Sequence, residues 1–195
     1  VETGALLHRQ DVDSPVTGVE NSNDGSYTVV SCEGGTVIAV STATWETLVT
    51  VEVGAPVLSM DLGRDGSLLA TGDKNKRAIL WHIDMAMAGT TVQQTNTMIC
   101  AHNVLSVCLS IDCSLLATGD AMAKAKVWET GLGGKLLLTL DCAGWVHAVK
   151  FSGDMTMLAT GDQGKQVRLW GVSSGEMVHK MELESEVFTL DLSRD

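Results

Sequence analysis

The chain has 195 residues, is 45% hydrophobic and carries a formal net charge of −11. That length and apolar content suit one or two compact domains with a real core, and no stretch approaches the ~18 apolar residues needed to cross a membrane. The acidic balance argues against a nucleic-acid backbone as the main partner, which would need clustered Lys and Arg. The five cysteines include no CxxC pair; an odd, irregularly spaced set is expected to be reduced and buried, as in an intracellular protein.

In chain order, "VETGALLHRQ" shows no signal-peptide pattern, and residues 4–9 read as an outer strand entered mid-element. Alternation then predicts four short strands per unit. The first unit has "VTGVE" at 16–20, a turn "NDGS", then "YTVVS", "TVIAV" and "TLVTVEV" at 47–53. The second has "VLSMDL" at 57–62, the turn "RDGS", "LLAT" and "RAILW". After it comes "MAMAGTTVQQTNTM", a polar, Gly-containing stretch that reads as an extended loop. The third runs "VLSVCL" (104–109), "IDCS", "LLAT", "KAKVW" and "KLLLTL" (135–140). The fourth runs "VHAVKF" (146–151), "GDMT", "MLAT", "QVRLW" and "EMVHKMEL" (176–183). "VFTLDL" at 187–192 reads as the inner strand of a further unit, ahead of "SRD". The second strands are nearly continuous in apolar and small residues, as expected of strands buried on both faces.

These units are copies of one another. "LLATGD" or "MLATGD" ends at Asp73, Asp120 and Asp162, each followed eight residues later by Trp81, Trp128 or Trp170. The turn aspartates Asp24, Asp65, Asp112, Asp154 and Asp195 recur at spacings of 41, 47, 42 and 41. Repeats of ~42 residues with four strands and a terminal Trp, carried by "LGRDGSLLATGDKNKRAILW", "LSIDCSLLATGDAMAKAKVW" and "FSGDMTMLATGDQGKQVRLW", resemble the WD40 family of β-propellers. The resemblance covers essentially the whole chain. It implies an all-β, WD40-like propeller segment over 1–195, with about four complete four-stranded blades and partial units at both ends. The repeats fall at roughly 11–52, 53–99, 100–141 and 142–183. Such a segment would be part of a larger propeller of seven blades or more, or an arc that closes on a second copy.

The sequence departs from the family pattern. The Gly-His that precedes the first strand is replaced by Val12, Val53, Cys100, Cys142 and Leu183. The turn Asp is replaced by Asn75, Met122 and Gly164, and the first unit has Val40 in place of Trp. The family's buried His–Asp–Ser/Thr–Trp network is therefore expected to be absent, leaving Thr71, Thr118 and Thr160 as structural residues.

No catalytic grouping emerges. Asp73, Asp120 and Asp162 fall one per unit, too far apart for paired acid–base work, and read as strand-end residues that pair with Lys or solvate turns. The histidines His8, His82, His102, His147 and His179 share no metal spacing, and Cys108 and Cys113 are a weak zinc signal. Ser59, Ser106 and Ser152 lack a partnering His or Asp, and "GLGGK" reads as a β-turn rather than a phosphate loop. No metal or cofactor is expected.

In propellers that resemble this chain, partners sit where fourth-to-first-strand loops and second-to-third-strand turns meet. Those loops carry Asp11, Asp13, Asp141, Glu184 and Glu186, and Trp145 where other repeats have Pro15, Pro56, Asn103 and Glu186. An aromatic beside carboxylates suits a Lys- or Arg-containing peptide; the alternative is that Trp145 folds over its own blade. The basic turns "DKNKR" and "AKAK" dilute the acidic field. Trp45, on the opposite face, aligns with turn glycines Gly4 and Gly175; it either fills the gap at Val40 or marks a contact patch. The resulting expectation is a non-catalytic scaffold holding other proteins in an intracellular, hetero-protein assembly, with a cytoplasmic location expected, no nucleic acid and no membrane insertion. The alternatives are an architectural subunit or incomplete propeller buried in a permanent complex, and a targeting module of a longer protein.

Overall fold

A computed structural model describes residues 6, 8–85 and 89–193. All the regular structure in these residues is β, in four separate four-stranded antiparallel sheets, each built from consecutive strands. The first sheet holds β1 (Val16–Asn21), β2 (Tyr27–Cys32), β3 (Thr36–Ser41) and β4 (Thr47–Glu52). The second holds β5 (Val57–Leu62), β6 (Leu68–Asp73), β7 (Arg77–Asp84) and β8 (Thr91–Ile99). The third holds β9 (Val104–Leu109), β10 (Leu115–Asp120), β11 (Lys124–Glu129) and β12 (Leu136–Asp141). The fourth holds β13 (Val146–Phe151), β14 (Met157–Asp162), β15 (Gln166–Gly171) and β16 (Met177–Glu182).

Apolar clusters lie between successive sheets. Tyr27, Val29 and Val37 of the first pack on Leu69, Ile79 and Trp81 of the second. Ala70, Leu80 and Met98 meet Leu109, Leu116 and Trp128, and Val127 and Leu140 meet Phe151, Leu158 and Trp170. The first strands run beside one another, β1 by β5, β5 by β9 and β9 by β13, as in radially stacked propeller blades.

This packing explains the repeated phrase letter by letter. Alternation along β6 turns Leu69 and Thr71 toward the preceding blade and Ala70 and Gly72 toward the next. Thr71 receives the indole N–H of Trp81 at 2.9 Å. Gly72 is where the next blade closes in: a Cβ there would lie 2.7 Å from Val104 Cγ1, as one on Gly119 would from Val146 Cγ1. Asp73 ends the strand by accepting the N–H groups of Asn75 and Arg77 at 2.8 and 2.9 Å.

Both turn types are equally regular. In the first-to-second-strand turns, Asp24, Asp65, Asp112 and Asp154 each accept the N–H two residues on, from Ser26, Ser67, Ser114 and Thr156. These bonds hold the carboxyls below their ordinary range, Asp24 down to about 2. The fifth turn aspartate of the sequence, Asp195, lies outside the described residues.

Five expectations need correction. The stretch after Trp81 is not an extended loop: most of it forms β8, the longest strand at nine residues, paired with β7 from Arg77↔Ile99 to Asp84↔Thr91. Its polarity reflects an outer edge strand facing water on one side. Residues 187–192 form no hydrogen-bonded strand, because the described residues offer no second strand to pair with them. The outer strand expected over 4–9 falls partly outside the described residues, and Leu6, His8 and Arg9 are in no strand.

The remaining two concern buried polar groups. Asp73, Asp120 and Asp162 are not solvated but at most 1% exposed. Nor is the buried polar network wholly lost: the Trp–Thr bond is present in three blades, at 2.9–3.0 Å. In two of them a cysteine takes up the histidine position, the thiols of Cys100 and Cys142 lying 3.6 and 3.7 Å from Thr118 and Thr160 Oγ1. Burial pushes both thiol pKa values up, which keeps the S–H available as a donor.

Candidate functional site at the loop face

The fourth-to-first-strand loops and the second-to-third-strand turns are tied together in every blade by the same bond. Glu33, Lys74, Ala121 and Gln163 donate their N–H groups to the carbonyls of Pro15, Pro56, Asn103 and Trp145, at 2.8–3.1 Å. A second repeated bond fastens the outer strand, from the N–H groups of Val53, Cys100, Cys142 and Leu183 to Gly35, Lys76, Ala123 and Lys165 O. Side chains on this face therefore project from a braced frame, the arrangement in which loops carry recognition.

The loop holding Trp145 is the best supported of these. Beneath it, Asp162 is fully buried and accepts Arg168 Nη1 at 2.6 Å, Ala143 N at 3.0 Å and Gln166 N at 3.1 Å. Gly144 lies close enough to the 163–165 turn that a Cβ would sit 2.8 Å from Gly164 N. Held this way, Trp145 leaves 48% of its surface exposed. It meets His147 edge-on at 6.3 Å between ring centroids, and His147 lies 4.9 Å from Phe188, which is 67% exposed. His147 Nε2 is buried with no hydrogen-bond partner. The result is an aromatic row, Trp145–His147–Phe188, spanning the loops that start at Asp141 and Leu183.

The acidic residues divide into two groups. Glu184 and Glu186 lie four and two residues before Phe188 and make no ion pair among the described residues. Asp141 is engaged by Lys124 and Asp11 by Arg9, so neither is a free carboxylate. Asp11 and Asp13 precede the first blade, whereas Trp145 belongs to the fourth. The basic turns are likewise partly neutralised, Lys74 by Glu33 and Arg77 by Asp73.

Trp45 stands apart from this row, in a third-to-fourth-strand turn at φ +62°, matching Gly175 at φ +70°. Its indole stacks on His8 at 4.8 Å and an interplanar angle of 10°, and it remains 39% exposed. The partners of Trp145 were not evident from residue types alone. Phe188 occupies the second position of its repeat's first-strand segment, where other repeats have Thr17, Leu58, Leu105 and His147; that change of residue is the signal that could have found it.

Elsewhere, the first strands converge on a cavity of about 260 Å³ lined by Glu20, Asp61, Cys108, Lys150 and Asp191. These occupy the same position in successive repeats. Burial pushes Asp61 up to about 6 and Cys108 up to about 12. Among the described residues no group of three or more His, Cys, Asp or Glu is placed to hold a metal ion, and no helix is long and apolar enough to cross a membrane.

The WD40 family profile (WD domain, G-beta repeat) matches residues 46–82 and 134–171. Each match begins at the outer strand of one blade and ends just past the Trp of the next. These two matched segments are WD40 repeats, and they support a place for the chain in the WD40-repeat family. Proteins of this family are typically non-catalytic and generally serve as scaffolds that bind other proteins. No curated protein sequence matches the chain.

Proposed function

We propose that this protein is a non-catalytic scaffold in an intracellular, cytoplasmic multi-protein assembly, and that its loop face takes a Lys- or Arg-containing peptide across Trp145 and Phe188. The observation that carries this reading is the exposed aromatic row with Glu184 and Glu186 beside it. A basic side chain laid over Trp145 gains cation–π attraction and covers apolar surface, while the glutamates supply charge pairing. The acidic net charge steers the same class of partner at long range. Asp141, Asp11 and Asp13 contribute to that field without contacting the peptide, since two of them already hold cations. Trp45 is assigned to a separate contact on the opposite face.

The test is retention on arrayed synthetic peptides that differ only in Lys/Arg against Glu/Asp content. The expected result is salt-sensitive retention on the basic set, reduced at least tenfold by Trp145→Ala and by Glu184→Gln with Glu186→Gln, with unchanged thermal melting. Retention that ignores peptide charge, or that survives Trp145→Ala, contradicts the proposal.

A further inference from the structure

Each first strand carries the same irregularity. Its pairing with the second strand skips one residue, between Val16 and Gly18, Val57 and Ser59, Val104 and Ser106, and Val146 and Ala148. The residues left out are Thr17, Leu58, Leu105 and His147. A bulge of this kind unpairs one residue and re-aims its side chain. All four bulges lie at one repeat position, directly after the loops that form the recognition face.

Val57, Val104 and Val146, one residue earlier, are fully buried in the clusters between blades. Leu58, Leu105 and His147 are only half-buried. Because β5 runs beside β9 and β9 beside β13, these three bulge residues follow one another round the inside of the stack. His147 in turn lies 4.9 Å from Phe188, the next residue at this repeat position. The aromatic row is therefore one end of a longer collar, Leu58–Leu105–His147–Phe188, with Trp145 at its rim.

A basic side chain alone leaves most of this collar unused. Its charge is met by Trp145 and by Glu184 and Glu186, whereas two half-buried leucines gain only from an apolar neighbour. We infer that the peptide carries, two residues from its Lys or Arg, a large apolar side chain that seats in the collar against Leu105 and His147. The spacing follows from backbone geometry. In an extended segment, side chains two residues apart lie on the same side and ~6.7 Å from each other. The Trp145 and His147 ring centroids are 6.3 Å apart. A residue next to the basic one would point away from the face. This inference rests on the basic-peptide reading of the same face and narrows its ligand from basic to basic and apolar at a fixed spacing.

Three Gly/Ser peptides with one Lys each test it. The first has Leu two residues to either side of the Lys, the second has Leu directly on either side, and the third has no Leu. Each is titrated into the 195-residue chain, with affinity read from the Trp145 indole N–H signal and seating from the Leu105 methyl signals. The spaced peptide should bind at least tenfold tighter than the Leu-free one and at least threefold tighter than the one with adjacent Leu. It should also move the Leu105 methyl signals, which the Leu-free peptide should leave in place. Leu105→Ser should remove the gain while the affinity for the Leu-free peptide stays unchanged, a sign that the loop face is still folded. Equal affinity for the three peptides, or Leu105 methyl signals indifferent to the spaced one, overturns the inference and leaves the basic-peptide site standing. No binding of any peptide, or a spaced peptide that binds as tightly with Ser in place of its Lys, overturns the basic-peptide reading and this inference with it.

Discussion

Trp128 donates its indole N–H to Thr118 Oγ1 at 3.0 Å, and both residues are buried between the second and third blades. The bond recurs as Trp81–Thr71 and Trp170–Thr160, so each later blade is pinned across its second and third strands by one buried polar contact.

Thr118→Val keeps the shape and removes the acceptor, leaving a buried N–H unsatisfied. The expected loss is about 1–3 kcal/mol in urea unfolding. Thr71→Val and Thr160→Val should cost similar amounts. The first blade has Val30 in place of this threonine and Val40 in place of the Trp, so it carries no such bond; its Thr28, at the position of Leu116, bonds to Asn21 at 2.7 Å, and Thr28→Val should cost much less.

The three buried aspartates are chemically unequal. Asp162 is paired with Arg168 at 2.6 Å, whereas Asp120 Oδ2 has no partner. Arg168→Met strands a buried carboxylate and should destabilise by about 3–5 kcal/mol. Asp120→Asn keeps an acceptor for Met122 and Lys124 N–H while removing an unpaired buried charge, and should change stability by less than about 1 kcal/mol. Chemical denaturation of both variants checks the contrast.

Turn strain offers a gain. Lys76, Ala123 and Lys165 adopt φ of +66°, +58° and +63° where the first blade has Gly35 at +93°. A left-handed conformation costs a non-glycine residue about 1–2 kcal/mol, partly offset by glycine's greater unfolded-state freedom. Ala123→Gly should therefore raise stability by about 0.5–1 kcal/mol in thermal melts. Gly35→Ala should lower it, since its Cβ would sit 2.8 Å from Ala55 O.

Asp61 makes stability depend on pH. Burial raises its pKa from 3.8 to about 6, against the N–H of Leu109 and the charge of Lys150, which pull it down. Because the folded state holds this proton more tightly, the stabilisation is complete below the unperturbed value of 3.8 and is lost as pH rises through about 6. Glu20 is raised by burial too and acts in the same sense. Asp24, held down to about 2, acts oppositely but only below its ordinary 3.8. Stability should thus rise by about 1 kcal/mol between pH 7 and pH 5 from Asp61, the full effect of about 3 kcal/mol being reached only below pH 3.8, and Asp61→Asn should flatten the profile.

The repeat was legible because each letter of "LATGD" answers to one neighbour in the stacked sheets, and stacking the same unit repeats the same neighbours. The polar network was harder to read. Its absence was expected from the missing histidine, yet Thr118 needs only Trp128 above it and accepts a cysteine thiol in the histidine's place. Asp162 reads as a polar strand end, and only the inward turn of the strand shows that it is buried against Arg168. The aromatic row was half visible. Trp145 stands out as a bulky residue among loop positions held by Pro, Asn and Glu, but Phe188, 43 residues on, meets His147 only because adjacent first strands run side by side.

The five tryptophans allow the peptide site to be tested directly, through their indole N–H signals in a ¹⁵N-labelled sample assigned by Trp→Phe substitution. Trp81, Trp128 and Trp170 are locked on threonines, and Trp45 lies on the opposite face. On titration with a short Gly/Ser peptide bearing Lys and Arg, the Trp145 signal should shift saturably while the other four stay in place. A shift confined to Trp45, or no movement of Trp145 at saturating peptide, would contradict the assignment of the recognition surface.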